Sequence, residues 1–324
     1  MAMTERLPGS ASDVALHNYT ETLTPRAPFS FAHTLRFMRM FTPMDAEQTI
    51  TDWTLTKAVT LSGRAVVFSL RERGDVEAPL LECALTSAAP LSAAERAALR
   101  DRVSFFLSLD DDLAPFYATA QSDPAMAPVI GRLYGLHQPK FLTPLEIACW
   151  AILTQRTPMA IARRLKDRIT ARYGSRLTLG GVEYRAFPQA ATLAAADPEE
   201  LDALIGVARK AEYFRAVADF FNQTDEGWLR AAPVADVTAA LRGVRGIGAW
   251  SATFILVRGL GRMDADLAAS ETLGREVSYV YGGRHLPEME RRALLERYGA
   301  TRGYWLFYCR NASSAGGHRS AVAM

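Results

Sequence analysis

An α+β domain with a small antiparallel sheet, followed by an all-α bundle containing a helix-hairpin-helix motif, is the fold class predicted for this 324-residue chain. Three observations predict it. Strand-like alternation is concentrated in residues 50–85, the region after Gln138 is punctuated by helix N-caps, and Gly246-Ile247-Gly248 lies between two helical patterns. At ~100–200 residues per domain the length suits two units. With 49% hydrophobic and 22% charged residues, disordered, collagen-like and coiled-coil classes are excluded.

Residues 1–18 are polar and aperiodic and read as a loose arm before an α+β domain at 19–135. Pro28 to Met40 has a helical pattern. Strands follow at Ile50 to Leu61, Ala65 to Leu70 and Leu80 to Leu85, with Ser62-Gly63-Arg64 as the first turn. Ser92-Ala-Ala-Glu95 is a capping box opening a helix to Leu107. Between Ser104 and Ile130 the only charges are Asp110, Asp111, Asp112 and Asp123, interleaved with Pro115, Pro124 and Pro128. That stretch reads as helical turns passing between domains with a solvated acidic face.

The helical domain is expected at 136–312, with a frayed tail at 313–324. Thr143-Pro144-Leu145-Glu146 combines a capping box with proline at the first helical position and opens a mostly apolar helix to Gln155. Pro158 starts an arginine-rich helix that stops at Gly174. A minor hairpin is expected around Gly180-Gly181, and Asp197-Pro198-Glu199-Glu200 caps the next helix by the same logic. Further helical patterns run Arg209 to Phe221, Val234 to Leu241, Ala249 to Leu260, Glu271 to Tyr281, Glu288 to Tyr298 and Arg302 to Asn311.

Lys and Arg number 37 against 35 Asp and Glu, so a nucleic-acid partner would be held by a local patch or by backbone groups rather than by a bulk field. Only four of the basic residues are lysines: Lys57, Lys140, Lys166 and Lys210. Cys83, Cys149 and Cys309 form no Cys-x-x-Cys or Cys/His pattern, which argues against a disulfide framework and against zinc or iron–sulfur sites. No apolar run approaches the ~18–20 residues of a membrane span, and no secretory leader pattern opens the chain. The expectation is a soluble cytoplasmic protein with no membrane partner.

The most specific local feature is Leu241-Arg-Gly-Val-Arg-Gly-Ile-Gly-Ala-Trp-Ser-Ala252. Two glycines between helices allow backbone angles that turn successive N–H groups outward at a helix start, where the dipole favours an anion such as phosphate. A tight turn between packed helices is the other reading of the same residues.

From these residues the chain resembles the helix-hairpin-helix DNA glycosylases, and among them the AlkA-type DNA-3-methyladenine glycosylase II. The resemblance is carried by Ala151-Ile-Leu-Thr-Gln-Arg156, by Phe187-Pro188 with Leu193-Ala-Ala-Ala-Asp-Pro198, and by Gly246 to Phe254 continuing to Arg258-Gly259 and Asp264. It implies that Gly246, Gly248 and Ser251 offer N–H groups to one phosphate of double-stranded DNA. The carbonyls of Arg242, Val244 and Gly246 would hold a sodium or potassium ion against it, with no other cofactor. It places a wedge that fills the gap left by a flipped base at Arg156, beside Gln155, where the family type carries leucine. Arg163, Arg164, Lys166, Arg168, Arg172 and Arg176 then read either as a backbone-tracking surface or as a solvated helix face.

Trp250 and Phe254 match the family's pocket aromatics, although a pair at that spacing also suits a core. A third pocket wall falls on Thr301. Trp250 stands where lyase-type members carry a nucleophilic lysine, which implies base removal by water alone, without strand cleavage. The family's catalytic aspartate aligns with Ser270, which has no charge; Glu271 is the first-ranked substitute, with Asp264 and Asp266 in the preceding loop. The implied activity is that of a monomeric, monofunctional glycosylase that starts base-excision repair at alkylated purines such as 3-methyladenine and 7-methylguanine, acting at the nucleoid. The alternative is a catalytically weak or inactive protein of the same fold that binds damaged DNA.

Overall fold

The computed structural model describes residues 15–267 and 273–315. Strands β1 (His17–Leu23), β2 (Gln48–Ile50), β3 (Thr54–Leu61), β4 (Arg64–Glu72) and β5 (Leu81–Ser87) form one antiparallel sheet in the order β1-β5-β4-β3-β2. β1 overlaps the expected loose arm at His17 and Asn18; it is an edge strand with alternate residues facing outward, so it carries too few apolar residues to announce itself. The single strand expected over 50–61 is two. Thr51 N–H donates to Thr54 C=O at 3.1 Å, closing a turn that leaves Trp53 69% exposed.

Helix α1 (Phe31–Met40) starts at Ser30, whose Oγ accepts the His33 N–H, and a 3-10 turn, Thr42–Glu47, follows it. Helix α2 (Ala93–Leu107) has the full Ser92/Glu95 capping box. Helices α3 (Ala114–Gln121) and α4 (Ala127–Leu133) occupy the stretch read as a passage between domains, and they pack against the C-terminal helices. The acidic face expected there is largely engaged. Asp123 is 2% exposed and accepts the Tyr281 and Tyr298 hydroxyls at 2.6 and 3.0 Å, Asp111 accepts the Tyr304 hydroxyl, and Asp112 pairs with Arg26.

The second unit is built from α5 (Pro144–Thr154), α6 (Met159–Tyr173), the hairpin β6 (Ser175–Leu179) and β7 (Val182–Ala186), and then α7 (Ala190–Ala194), α8 (Pro198–Ile205) and α9 (Ala208–Gln223). It continues through α10 (Glu226–Ala231), α11 (Val234–Gly243), α12 (Ala249–Gly259), α13 (Leu273–Val280), α14 (Glu288–Tyr298) and α15 (Arg302–Ala315), which extends past the start of the expected tail. α7 and α10, each under two turns, carried no periodic signal. Every residue of α5 is buried, so it is the central helix, packed against α12, α9 and α6.

The two units share their core. The β6–β7 hairpin lies on the outer sheet face, where Leu177 and Ala186 pack with Ala58, Ala65 and Val67. On the inner face Lys57 pairs with Glu47 at 2.9 Å, and Lys166 of α6 pairs with both Glu47 and Glu146 of α5, all four residues lying nine-tenths or more buried. Lys166 is therefore not part of a surface run. The Thr143–Glu146 box is also half-formed: Thr143 Oγ1 accepts the Glu146 N–H, but the Glu146 carboxylate goes to Lys166. Cys83, Cys149 and Cys309 are free and buried, and no described helix is long and apolar enough to cross a membrane.

Candidate functional site

Helix α11 ends at Gly243, and two short turns carry the chain into α12: Val244 N–H donates to Leu241 C=O at 3.1 Å and Ile247 N–H to Val244 C=O at 3.0 Å. Ile247, 5% exposed, pins the turn inward. The two glycines serve different needs. Gly246 has φ +94°, and a Cβ there would lie 2.4 Å from Cγ of Tyr213. Gly248 has φ −86° and ψ −179°, extended backbone open to any residue, contrary to the expectation that both adopt unusual angles. A Cβ on Gly248 would meet no atom within 4 Å, because the residue opens onto a surface depression of about 1070 Å³. The first helical bond of α12 runs from Ala252 N–H to Gly248 C=O, so the amides of Ala249, Trp250 and Ser251 at the edge of that depression have no helical acceptor.

The opposite rim of the depression is the loop after α5. Gln155 Nε2 donates to Gly246 C=O at 2.8 Å, tying this loop to the hairpin. Next to it Arg156 is exposed with φ +50°, a left-handed conformation that non-glycine residues seldom adopt. Arg209, Lys210 and Tyr213 of α9, with Arg242 and Arg245 of the hairpin, complete the lining. Arg245 pairs with Glu212, and Arg209 Nε donates to the Tyr213 hydroxyl at 2.6 Å. The Lys210 ammonium donates to Leu153 C=O at 2.8 Å, to Gln155 C=O at 3.0 Å and to Thr157 Oγ1; burial lowers its pKa.

Arg209 and Arg245 carry no site reading in the sequence, and Lys210 stands out there only as one of four lysines. The surface run on α6 does not reach this depression, and within it Arg172 pairs with Glu200 while Lys166 is internal.

Trp250 and Phe254, one turn apart on α12, stack with ring centroids 5.2 Å apart and planes 15° from parallel. Trp250 lines the depression. Fully buried Phe141, unmarked in the sequence, meets Phe254 edge-on at 6.5 Å. Thr301 sits in a 3-10 turn, Gly299–Thr301, with its hydroxyl on Tyr298 C=O; two residues on, Gly303 N–H donates to Met263 C=O at 2.9 Å, setting this turn beside the Asp264 loop. Asp264 faces Arg262 at 3.5 Å. The backbone of Asp266 lies against α12, its carbonyl accepting the Thr253 hydroxyl at 3.3 Å. Ser270 and Glu271 lie outside the described residues.

Residues 149–282 match the family model described as HhH-GPD superfamily base excision DNA repair protein. The chain is 28% identical over 176 residues to the DNA-3-methyladenine glycosylase of Bacillus subtilis, covering 54% of this chain and 58% of that one. It is 35% identical over 136 residues to DNA-3-methyladenine glycosylase 2 of Escherichia coli, covering 41% and 47%. It thus spans about half the length of the curated relatives it matches. Among solved structures, a 3-methyladenine DNA-glycosylase from Archaeoglobus fulgidus superposes with a TM-score of 0.75 at 20% identity, over 92% of this chain and 99% of that one. An 8-oxoguanine glycosylase/lyase from Clostridium acetobutylicum, solved with double-stranded DNA, superposes at 0.65 with 13% identity over 93% and 98%.

Proposed function

We propose, from the match of residues 149–282 to the HhH-GPD superfamily model, that the protein is a DNA glycosylase that starts base-excision repair by hydrolysing alkylated purines out of duplex DNA. The observation that carries this reading is the joining of three parts around one depression: open amides at the start of α12, a loop bearing Arg156 bonded to the hairpin through Gln155, and Trp250, whose ring is backed by the stacked Phe254. The amides hold one phosphate, Arg156 fills the gap in the base stack, and the flipped base stacks on the aromatic pair. A 3- or 7-alkylpurine is cationic, so its glycosidic bond is already weak and a π-face attracts it. The substrate is double-stranded DNA in the cytoplasm, and the enzyme acts as a monomer.

Glu271, one position beyond Ser270, is our first choice for the carboxylate that stabilises the oxocarbenium-like sugar, with Asp266 next because its backbone rests on α12. The hairpin carbonyls suit a sodium or potassium ion: Val244 O and Gly246 O each accept one hydrogen bond and keep a second lone pair, and Arg242 O completes the set. Such an ion adds positive charge against the phosphate.

The test is mass spectrometry of free 3-methyladenine and 7-methylguanine released from methylated duplex. Release above buffer is expected, with a loss of about a hundredfold or more in Glu271→Gln and little change in Ser270→Ala; equal activity in Glu271→Gln, Asp266→Asn and wild type would overturn the site. No strand cleavage is expected, because Trp250 holds the lyase position and the Lys210 ammonium is committed to three acceptors. Borohydride should therefore trap no adduct on abasic duplex. The neutral Ser270 favours a second reading, a damage-binding protein, which predicts tight binding to abasic duplex without base release.

A further inference from the structure

Lys210 belongs to none of the three parts just described, yet it is bonded to one of them at three points. It stands in the first turn of α9, beneath the loop that follows α5. The last carbonyls of a helix lack intrahelical partners, and here Leu153 O and Gln155 O both accept from Lys210 Nζ, at 2.8 and 3.0 Å; Thr157 Oγ1 is the third acceptor. These positions bracket Arg156, whose φ of +50° needs support from its neighbours to persist. An ammonium offers three donors from a single point, which three converging acceptors require and a planar guanidinium does not supply. On its other side the loop is fixed by Gln155 to Gly246 C=O. With its donors directed into the loop, Lys210 is arranged neither to contact phosphate nor to attack a sugar.

We infer that Lys210 is a positioning residue for base flipping: it clamps the 153–157 loop in the shape that presents Arg156 to the DNA stack. The inference rests on the proposal that this face opens duplex DNA. It acts through Arg156, so its loss is a loss of insertion rather than of phosphate binding.

The test uses the full chain at saturating concentration on a duplex with a tetrahydrofuran abasic site opposite 2-aminopurine, whose fluorescence rises when a side chain enters the stack. Wild type should give the rise and Arg156→Ala should not. Lys210→Met and Lys210→Arg should both lose most of it, and the double variant Arg156→Ala/Lys210→Met should match Arg156→Ala. In single turnover, 7-methylguanine release by the Lys210 variants should fall about tenfold to a hundredfold, the loss that a ~1 Å misplacement brings. A wild-type rise in Lys210→Arg would mean that charge alone matters and would overturn the clamp, as would undiminished fluorescence in Lys210→Met. Should Lys210→Met fail to melt cooperatively, Lys210→Arg and Thr157→Val, which removes one acceptor, carry the same comparison. Absence of any wild-type rise overturns the flipping reading itself, and the clamp with it; a wild-type rise that the Lys210 variants keep overturns the clamp alone.

Discussion

Gly246 and Gly248 are two positions apart, and substituting each by alanine separates folding from binding. At Gly246 a methyl meets the Tyr213 ring at 2.4 Å and the backbone stays at φ +94°; Gly246→Ala should cost about 1–3 kcal/mol and lower the melting temperature by several degrees. At Gly248 the methyl finds open space, which is where the proposed function places the phosphate, so Gly248→Ala should melt like wild type and bind duplex about tenfold more weakly. Calorimetry and fluorescence anisotropy on the two variants check this, and a stable, tight-binding Gly246→Ala would refute the account. The hairpin was legible because glycine, isoleucine and helix patterning all marked one turn. Lys210 was marked only by its rarity. With 33 arginines in the chain, its four lysines are Lys57, Lys140 and Lys166, all buried, and half-buried Lys210. The ammoniums of Lys140, Lys166 and Lys210 each sit against several oxygens and that of Lys57 against the Glu47 carboxylate; the crowded sites suit a compact charge over a planar fork.

At the scale of elements, the joint between the sheet and the helices is ionic as well as apolar. Lys57 on β3, Glu47 in the 3-10 turn, Glu146 on α5 and Lys166 on α6 form one buried chain of charges. Removing Lys166 leaves Glu146 without a cation; Lys166→Met should cost about 3–5 kcal/mol in urea unfolding, and adding Glu146→Gln should restore much of it. Burial opposes ionisation of Glu47, but the Lys166 and Lys57 charges outweigh it and hold the carboxyl down to about 2. Since an unfolded glutamate titrates near ~4.3, the folded value is the lower one, and this contribution is present above that pH and lost as pH falls toward 2. The stability gap between wild type and Glu47→Gln should therefore close over that acid range, and a constant gap would contradict it. None of this chain was visible in sequence, because Glu146 fits a capping box and Lys166 a basic helix face equally well. Local spacing identifies a helix start but does not say which remote charge a side chain will meet.

Across the whole molecule, the net charge of +2 does not say how few charges the proposed DNA-binding face has free. The sequence predicted two units and the sheet-then-bundle order, yet it placed a passage where α3 and α4 pack onto the C-terminal helices, because contacts such as Tyr117 with Tyr308 and Asp123 with Tyr281 span more than 150 positions. The same long-range pairing removes Asp123 and Lys166 from the surface account, so charge summed along the chain overstates what the surface presents. Around the depression, Lys210 is spent on its loop, Arg245 on Glu212, and Arg156 is assigned to the base stack, which leaves Arg209 and Arg242 to meet phosphates beside the α12 amides. Each phosphate neutralised by a side chain contributes about −0.9 to the slope of log K against log salt. With two such contacts duplex binding should therefore show a slope of about −2, measured by anisotropy between low and physiological salt with an abasic duplex. Arg209→Gln and Arg242→Gln should each remove about one unit from it, while Arg168→Gln on α6 should leave it unchanged. A slope steeper than about −6, or a loss in Arg168→Gln equal to that in Arg242→Gln, would mean that the arginine run of α6 tracks the DNA backbone and that the depression is only part of the interface.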